Sequence, residues 1–194
     1  MNEKTEFVVE IPPPPKKCPR CLQDFIHLEH PMRPGVIMSS RCACTNERQL
    51  KWDRRFLDVA RLFSTWSKDP STRIGCVIVG PNLEIRSTGY NGFARGVADD
   101  DRLHDRDQKY PHIVHAEENA ILNATLIGTT LKGCTSYAGW TPCTRCARML
   151  IQVGIAEVIF DDREIPERWQ ADFKTAQRML AEAGVRFRGV PDAG

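Results

Sequence analysis

No surplus of charge marks this chain. Its 27 lysines and arginines face 25 aspartates and glutamates, a formal net charge of +2, so composition alone gives no reason to expect a nucleic-acid partner. No apolar run approaches the roughly 20 residues of a membrane-spanning helix, and no membrane association is expected. The opening MNEKTEFVVE has too short an apolar stretch for a secretory signal and runs into four prolines, Pro12 to Pro15. The expected location is therefore the cytoplasm. Aromatic residues are scarce where a nucleic-acid grip would want them, since residues 1–49 hold only Phe7 and Phe25. No internal repeat is evident.

Cysteine, by contrast, is plentiful. Eight cysteines in a chain without a secretory signal favour metal binding over disulfides. Two of them belong to a split motif: His115-Ala116-Glu117, then Pro142-Cys143-Thr144-Arg145-Cys146. One histidine and two cysteines can hold a zinc ion and leave its fourth position open to water. Zinc lowers the pKa of such a water to about 7, which makes a nucleophile available at neutral pH. Cys143 and Cys146 are three apart and so share a helix face. A helix start, suited by Pro142, also favours thiolate over thiol. Glu117 lies beside the ligand histidine without being a ligand. It is the candidate general acid/base, taking protons from that water and delivering them to the reacting group. A purely structural site is closed and needs no such group, which argues against a non-catalytic zinc protein.

The spacing of apolar residues places the motif. Trp52, Phe56, Val59, Ala60, Phe63 and Trp66 predict an amphipathic helix over 51–67. Residues 74–79 form a nearly continuous apolar run, typical of a buried strand, and residues 84–90 alternate as its hairpin partner after Gly80-Pro81-Asn82. Helices are expected at 115–124, 143–153 and 171–183, the last closed by Gly184. Strands are expected at 134–138, 157–160 and 185–187. Ligands then sit at helix starts, and strand and helix alternate. The expected fold is α/β: three layers, with a central mixed sheet of about five strands and helices on both faces. The polar segment 97–112, with Asp99-Asp100-Asp101, reads as a solvated loop rather than a substrate lid. Cys76 and Cys134 fall in strands and read as core.

The H-x-E and P-C-x-x-C pair resembles the signature of zinc-dependent nucleobase deaminases. Beyond the ligands, Ser67-Lys68-Asp69-Pro70-Ser71-Thr72, Gly75, Val77-Ile78-Val79, Ser87-Thr88-Gly89-Tyr90-Asn91-Gly92, Lys109-Tyr110-Pro111, Asn119-Ala120-Ile121, Gly154-Ile155 and Val158-Ile159-Phe160 carry a resemblance to the deoxycytidylate (dCMP) deaminase family. It covers most of the chain from Lys51 to Arg188 and makes the expected fold cytidine-deaminase-like. It implies hydrolysis of dCMP to dUMP and ammonia in pyrimidine deoxynucleotide metabolism. It also implies zinc on His115, Cys143 and Cys146, with Glu117 as proton shuttle and Asn91 on the substrate sugar, although an Asn-Gly pair also simply makes turns. Monophosphate recognition needs cations or helix N-termini. Ser67, Lys68 and Arg73 are candidates for it, as is Arg145, each with the alternative of an ordinary surface side chain. Trp140 walls the base pocket or packs in the core. Where the family usually has an apolar residue after the glutamate, this chain has Glu118, expected to face away from the zinc or to pair with a basic neighbour. The resemblance further implies a homo-oligomer, a hexamer favoured, with dCTP and dTTP as allosteric nucleotides and Mg2+ accompanying them. Two other enzyme readings stay open: a 5-modified dCMP as substrate, or a base within DNA or RNA.

The family core does not include the N-terminal cysteines. Cys18-Pro19-Arg20-Cys21 and Cys42-Ala43-Cys44 give four sulfur ligands with spacing suited to a second, structural zinc. His27 and His30 are spare ligands. The alternative is an extension with free thiols. The organisation expected is a flexible proline-rich tail at 1–16, a cysteine-rich zinc-ribbon-like module at 17–49 and a deaminase domain at 50–194.

Overall fold

The computed structural model describes the backbone of residues 26–30, 33–41 and 43–191, and side chains from residue 47 to residue 191. Cys18, Cys21, Cys42 and the side chain of Cys44 lie outside the described residues, as does the tail. The chain divides into two units between Glu47 and Arg48. In the first, β1 (Ile26–His30) pairs antiparallel with β2 (Arg33–Arg41).

The second unit is built on a five-stranded mixed sheet of order β4-β3-β7-β8-β9. Its strands are β3 (Gly75–Val79), β4 (Ile85–Tyr90), β7 (Thr135–Ala138), β8 (Glu157–Asp162) and β9 (Arg186–Pro191). A small ladder joins β5 (Gly92–Phe93) to β6 (Ile113–Val114). The helices are α1 (Ala43–Ser64), α2 (Arg106–His112), α3 (Ala116–Leu126), α4 (Thr144–Gln152) and α5 (Glu167–Glu182). β3 is antiparallel to both β4 and β7, while β7, β8 and β9 run parallel.

Alternation along β3 sets the layers. Val77 and Val79 face one side, where with Tyr137, Ile159 and Val190 they meet Phe56, Leu57 and Ala60 of α1. Cys76 and Ile78 face the other, where with Ala138, Val158 and Phe160 they meet Ala116, Ala120 and Ile121 of α3, Ala147 and Leu150 of α4, and Ala176 and Leu180 of α5. Period-2 strands and period-3.6 helices thus give the expected three layers. Two glycines let helices close on the sheet. A Cβ on Gly75 would collide with the α1 backbone at Ala60, and one on Gly89 with the α3 backbone at Ala116 and Ala120. Gly154 and Gly184 follow α4 and α5 with φ of +78° and +74°, the left-handed conformation that ends a helix. Cys76 and Cys134 are buried, as expected of core cysteines.

Some element bounds differ from those the periodicity predicts. α1 starts at Ala43, nine residues before the first periodic aromatic, because ACTNERQ carries no apolar stripe to announce it. The segment read as a loop contains α2 and a short 3-10 turn at Asp101–Leu103. Asp105 starts α2 by accepting from the backbone N–H groups of Asp107 and Gln108. No helix among the described residues is long and apolar enough to cross a membrane.

Candidate active site

α3 and α4 pack on the same face of the sheet, and both helix starts converge. His115 is the residue capping α3, directly after β6, and Cys143 caps α4, after the loop that follows β7. Cys146 sits one turn further and is fully buried. The His115 Nδ1 atom lies 3.4 Å from Cys143 Sγ and 3.6 Å from Cys146 Sγ, and the three donor atoms lie within 4.8 Å of one another. A tetrahedral zinc with ordinary Zn–N and Zn–S bonds separates such atoms by about 3.5 Å. The donor set and its spacing therefore fit zinc.

Electrostatics agree with a cluster built for a cation. A hydrogen bond from the Cys146 thiol, helped by His115, holds the Cys143 thiol down to about 4. Cys146 is pushed up by the same bond and by burial. His115 is raised, chiefly by its hydrogen bond to Cys143, against burial that lowers it. The protons these groups share are those a divalent metal displaces. Glu117, in the first turn of α3, is 6% exposed. Burial, then the Cys143 charge, raises its pKa, while His115 opposes the shift.

These groups form one end of a cavity of about 340 Å³, within the size range of small-molecule sites. Asp69, Ser71, Thr72, Ile74 and Asn91 line one wall. The segment read as a solvated loop supplies another, with Leu103, His104, Arg106, Lys109 and Tyr110. Trp140, Trp169 and Phe173 give it an aromatic side: Trp169 stacks on Phe173 at 5.7 Å between ring centres, and Trp140 meets Phe173 edge-on at 6.2 Å. Trp140 thus both packs against the ligand-bearing helix and lines the cavity.

The cavity brings together His115, Glu117, Cys143, Asn91 and Trp140 from the residues singled out in the sequence. It does not include Ser67, Lys68 or Arg73. Ser67 is buried and its Oγ accepts from the Asp69 backbone N–H. Lys68 is 70% exposed in its side chain and pairs with Asp99 at 2.7 Å. The exposed Arg73 donates to the Asp69 carbonyl. These three follow the chain into the loop but do not line the cavity it forms.

Sequence reasoning passed over Asp69, Arg106, Lys109 and Arg168, although Asp69 and Lys109 lie inside stretches that carry the family resemblance. Lys109 is nearly buried, and its Nζ donates to Asp69 Oδ1 at 3.1 Å and to Ser71 Oγ at 2.7 Å. A lysine inside a polar run gave no sign that it turns inward. Arg168 reaches the cavity only because α5 packs beside α4.

With this geometry in hand, comparison with known proteins is specific. The sequence model of the cytidine and deoxycytidylate deaminase zinc-binding region matches residues 50–161. The chain is 41% identical to Homo sapiens deoxycytidylate deaminase over 146 residues, 72% of this chain and 79% of that one. It is 40% identical over 143 residues to an uncharacterised deaminase from the luxG 3′ region of Aliivibrio fischeri, 73% of this chain and 95% of that one. Its fold matches a dCMP deaminase from cyanophage S-TIM5, solved with dCMP and dUMP, with a TM-score of 0.60 and 22% identity over 72% of this chain and 96% of that one. By its ligand-bearing helices, its sheet and its sequence alike, the chain belongs to the cytidine and deoxycytidylate deaminase family.

Proposed function

We propose that this chain hydrolyses dCMP to dUMP and ammonia. The observation that carries the proposal is the joining, in one cavity, of His115 and Cys143 of the ligand cluster and buried Glu117 with cationic Arg106, Lys109 and Arg168, while Cys146 completes the cluster behind them. The 41% identity with the human deoxycytidylate deaminase supports the choice of substrate.

Zinc held by His115, Cys143 and Cys146 supplies Lewis-acid activation of water when bound there. Glu117 takes a proton from the attacking water and delivers it to N3 of the cytosine ring. It then takes the proton of the hydroxyl added at C4 and gives it to the amine, which leaves as ammonia while the C4 carbonyl forms, so that one carboxylate serves every transfer. Ile74, Trp140 and Phe173 give the base a mostly apolar, water-poor environment. Asn91 faces the sugar. Arg106 and Arg168, both exposed side chains in the cavity wall, supply charge for the 5′-phosphate.

The same reading extends to assembly and metals. A second cavity, lined by Tyr90, Gly92, Phe93, Arg95, Asn123 and Leu126, adjoins the exposed Leu122, Leu126 and Ile127. It supports a homo-oligomer, a hexamer favoured, that binds dCTP or dTTP with Mg2+. The second zinc belongs to Cys18, Cys21, Cys42 and Cys44, and the protein works in the cytoplasm.

The test is ammonia release by the purified protein from dCMP, CMP, deoxycytidine, dCTP and a cytosine-containing oligonucleotide. The expected result is a rate on dCMP at least tenfold above that on deoxycytidine, since one charge-assisted contact contributes about 1.5–3 kcal/mol. Equal rates on nucleoside and nucleotide would reject the monophosphate reading, and preference for the oligonucleotide would replace it.

A further inference from the structure

Both helices that carry metal ligands begin with the ligand itself. The residue at a helix cap ordinarily turns an oxygen back onto the first free backbone N–H groups, and Ser, Thr, Asp and Asn are favoured there for that reason. His115 and Cys143 occupy those positions with side chains committed to one another. An acidic residue braces each start: Glu118 from within the first turn of α3, where it closes a capping box with His115, and Asp172 from α5. On α3, Glu118 Oε2 accepts from the His115 backbone N–H at 3.5 Å. On α4, Asp172 of α5 accepts from the Thr144 backbone N–H at 2.9 Å and from Thr144 Oγ1 at 2.7 Å.

Glu118 does a second thing. Its other oxygen, Oε1, accepts from Arg145 Nη2 at 2.5 Å. Arg145 lies between Cys143 and Cys146 in the sequence, so this contact ties the first turn of α3 to the first turn of α4. The carboxylate end is buried, with 11% of the Glu118 side chain exposed, while Arg145 is half-exposed. Such a pair adds little to global stability. Its place in the structure is across the gap that the three donor atoms span.

We propose that Glu118, Arg145 and Asp172 are positioning residues for the metal centre: they fix the two helix starts so that His115, Cys143 and Cys146 keep the separation that retains zinc. This rests on the zinc reading given above. Hydrogen-bond partners of ligand-bearing elements typically alter metal affinity by about 10–100-fold.

The experiment measures zinc release from the full-length protein into excess 4-(2-pyridylazo)resorcinol, followed by absorbance. The zinc that Cys143→Ser removes defines the pool that belongs to this centre. Arg145→Met, Glu118→Gln and Asp172→Asn should each release that pool about tenfold faster. Arg145→Lys, which keeps the charge, should restore much of the retention. Glu118→Gln combined with Arg145→Met should be no worse than the poorer single variant, because both break one contact. The melting midpoint of the metal-free variants should match metal-free wild type. Wild-type release rates in the variants would overturn the proposal, as would a fall in metal-free stability that accounts for the faster release. A wild-type protein holding no zinc that Cys143→Ser removes would instead refute the zinc reading, and the proposal with it.

Discussion

Lys109 and Asp69, forty residues apart, meet inside the cavity wall: Nζ and Oδ1 are 3.1 Å apart, with the aspartate side chain 2% exposed and the lysine side chain 11%. The contact fastens α2 to the loop that carries Ser71 and Thr72. That loop in turn holds Asn91, whose amide donates to the Thr72 carbonyl at 2.8 Å. Replacing Lys109 by Met should therefore loosen the cavity wall that it lines. The expected outcome is a rise in KM for dCMP larger than the fall in kcat, and a stability loss of about 1.5–3 kcal/mol for one charge-assisted bond. Steady-state kinetics and urea unfolding check it. An unchanged KM would show that the tether does not shape the site.

Asp69 gives a pH signature. Burial alone would raise its pKa, but hydrogen bonds from the Ser71 backbone and hydroxyl, the Thr72 backbone and Lys109 outweigh it and hold the carboxyl below its ordinary 3.8. A carboxyl depressed in the folded state stabilises the fold fully above its unfolded pKa and loses that contribution as pH falls through the folded value. The stability gap between wild type and Asp69→Asn should be constant from pH 7 to about 5. It should then narrow as the medium is acidified below about 4. Thermal melts across this range measure it, and a gap that widens in acid contradicts the argument.

Glu117→Gln should keep the metal and lose turnover. General acid/base groups contribute about 10²–10⁴-fold, and here one side chain serves several transfers, so the loss should reach the top of that range. Zinc analysis alongside ammonia release decides the matter. Near-normal activity in a zinc-loaded variant would remove Glu117 from its role.

Arg168→Ala and Arg106→Ala should raise KM for dCMP by roughly tenfold each while leaving the weak activity on deoxycytidine unchanged. The comparison of the two substrates is the check, because a variant that merely unsettles the fold depresses both. Arg106 also lies over the Tyr110 ring at 4.9 Å, so Arg106→Lys tests whether charge alone suffices.

How much of this was legible in the sequence differs from residue to residue. The ligand pair and Glu117 stand in short motifs at helix starts, and the apolar periods of α1, β3, α3 and α5 follow from local chemistry. The sheet was legible for the same reason, because runs such as Gly75–Val79 suit only a strand buried on both faces. What was not legible depends on contacts far apart in sequence. α2 has seven residues and its cap is an aspartate among many, so it resembles a loop until Lys109 is seen to point inward. Ser67, Lys68 and Arg73 were drawn from the right loop, but Ser67 is buried against Asp69 and the other two are exposed outside the cavity. Arg168 becomes a cavity residue only through the packing of α5 against its neighbour.

Asn91 imposes a polarity on whatever meets it. Its Nδ2 has two hydrogens, one given to the Thr72 carbonyl and one to Asp69 Oδ2 at 3.4 Å. Its Oδ1 accepts from the Ile74 backbone N–H at 2.8 Å and keeps one lone pair. The residue can therefore accept from a ligand but has nothing left to donate. A hydroxyl satisfies it, whereas a carbonyl, an ether oxygen or a fully ionised phosphate oxygen presents only lone pairs and is repelled. On the proposed reading, Asn91 would take a hydroxyl of the nucleotide and turn its phosphate elsewhere in the cavity.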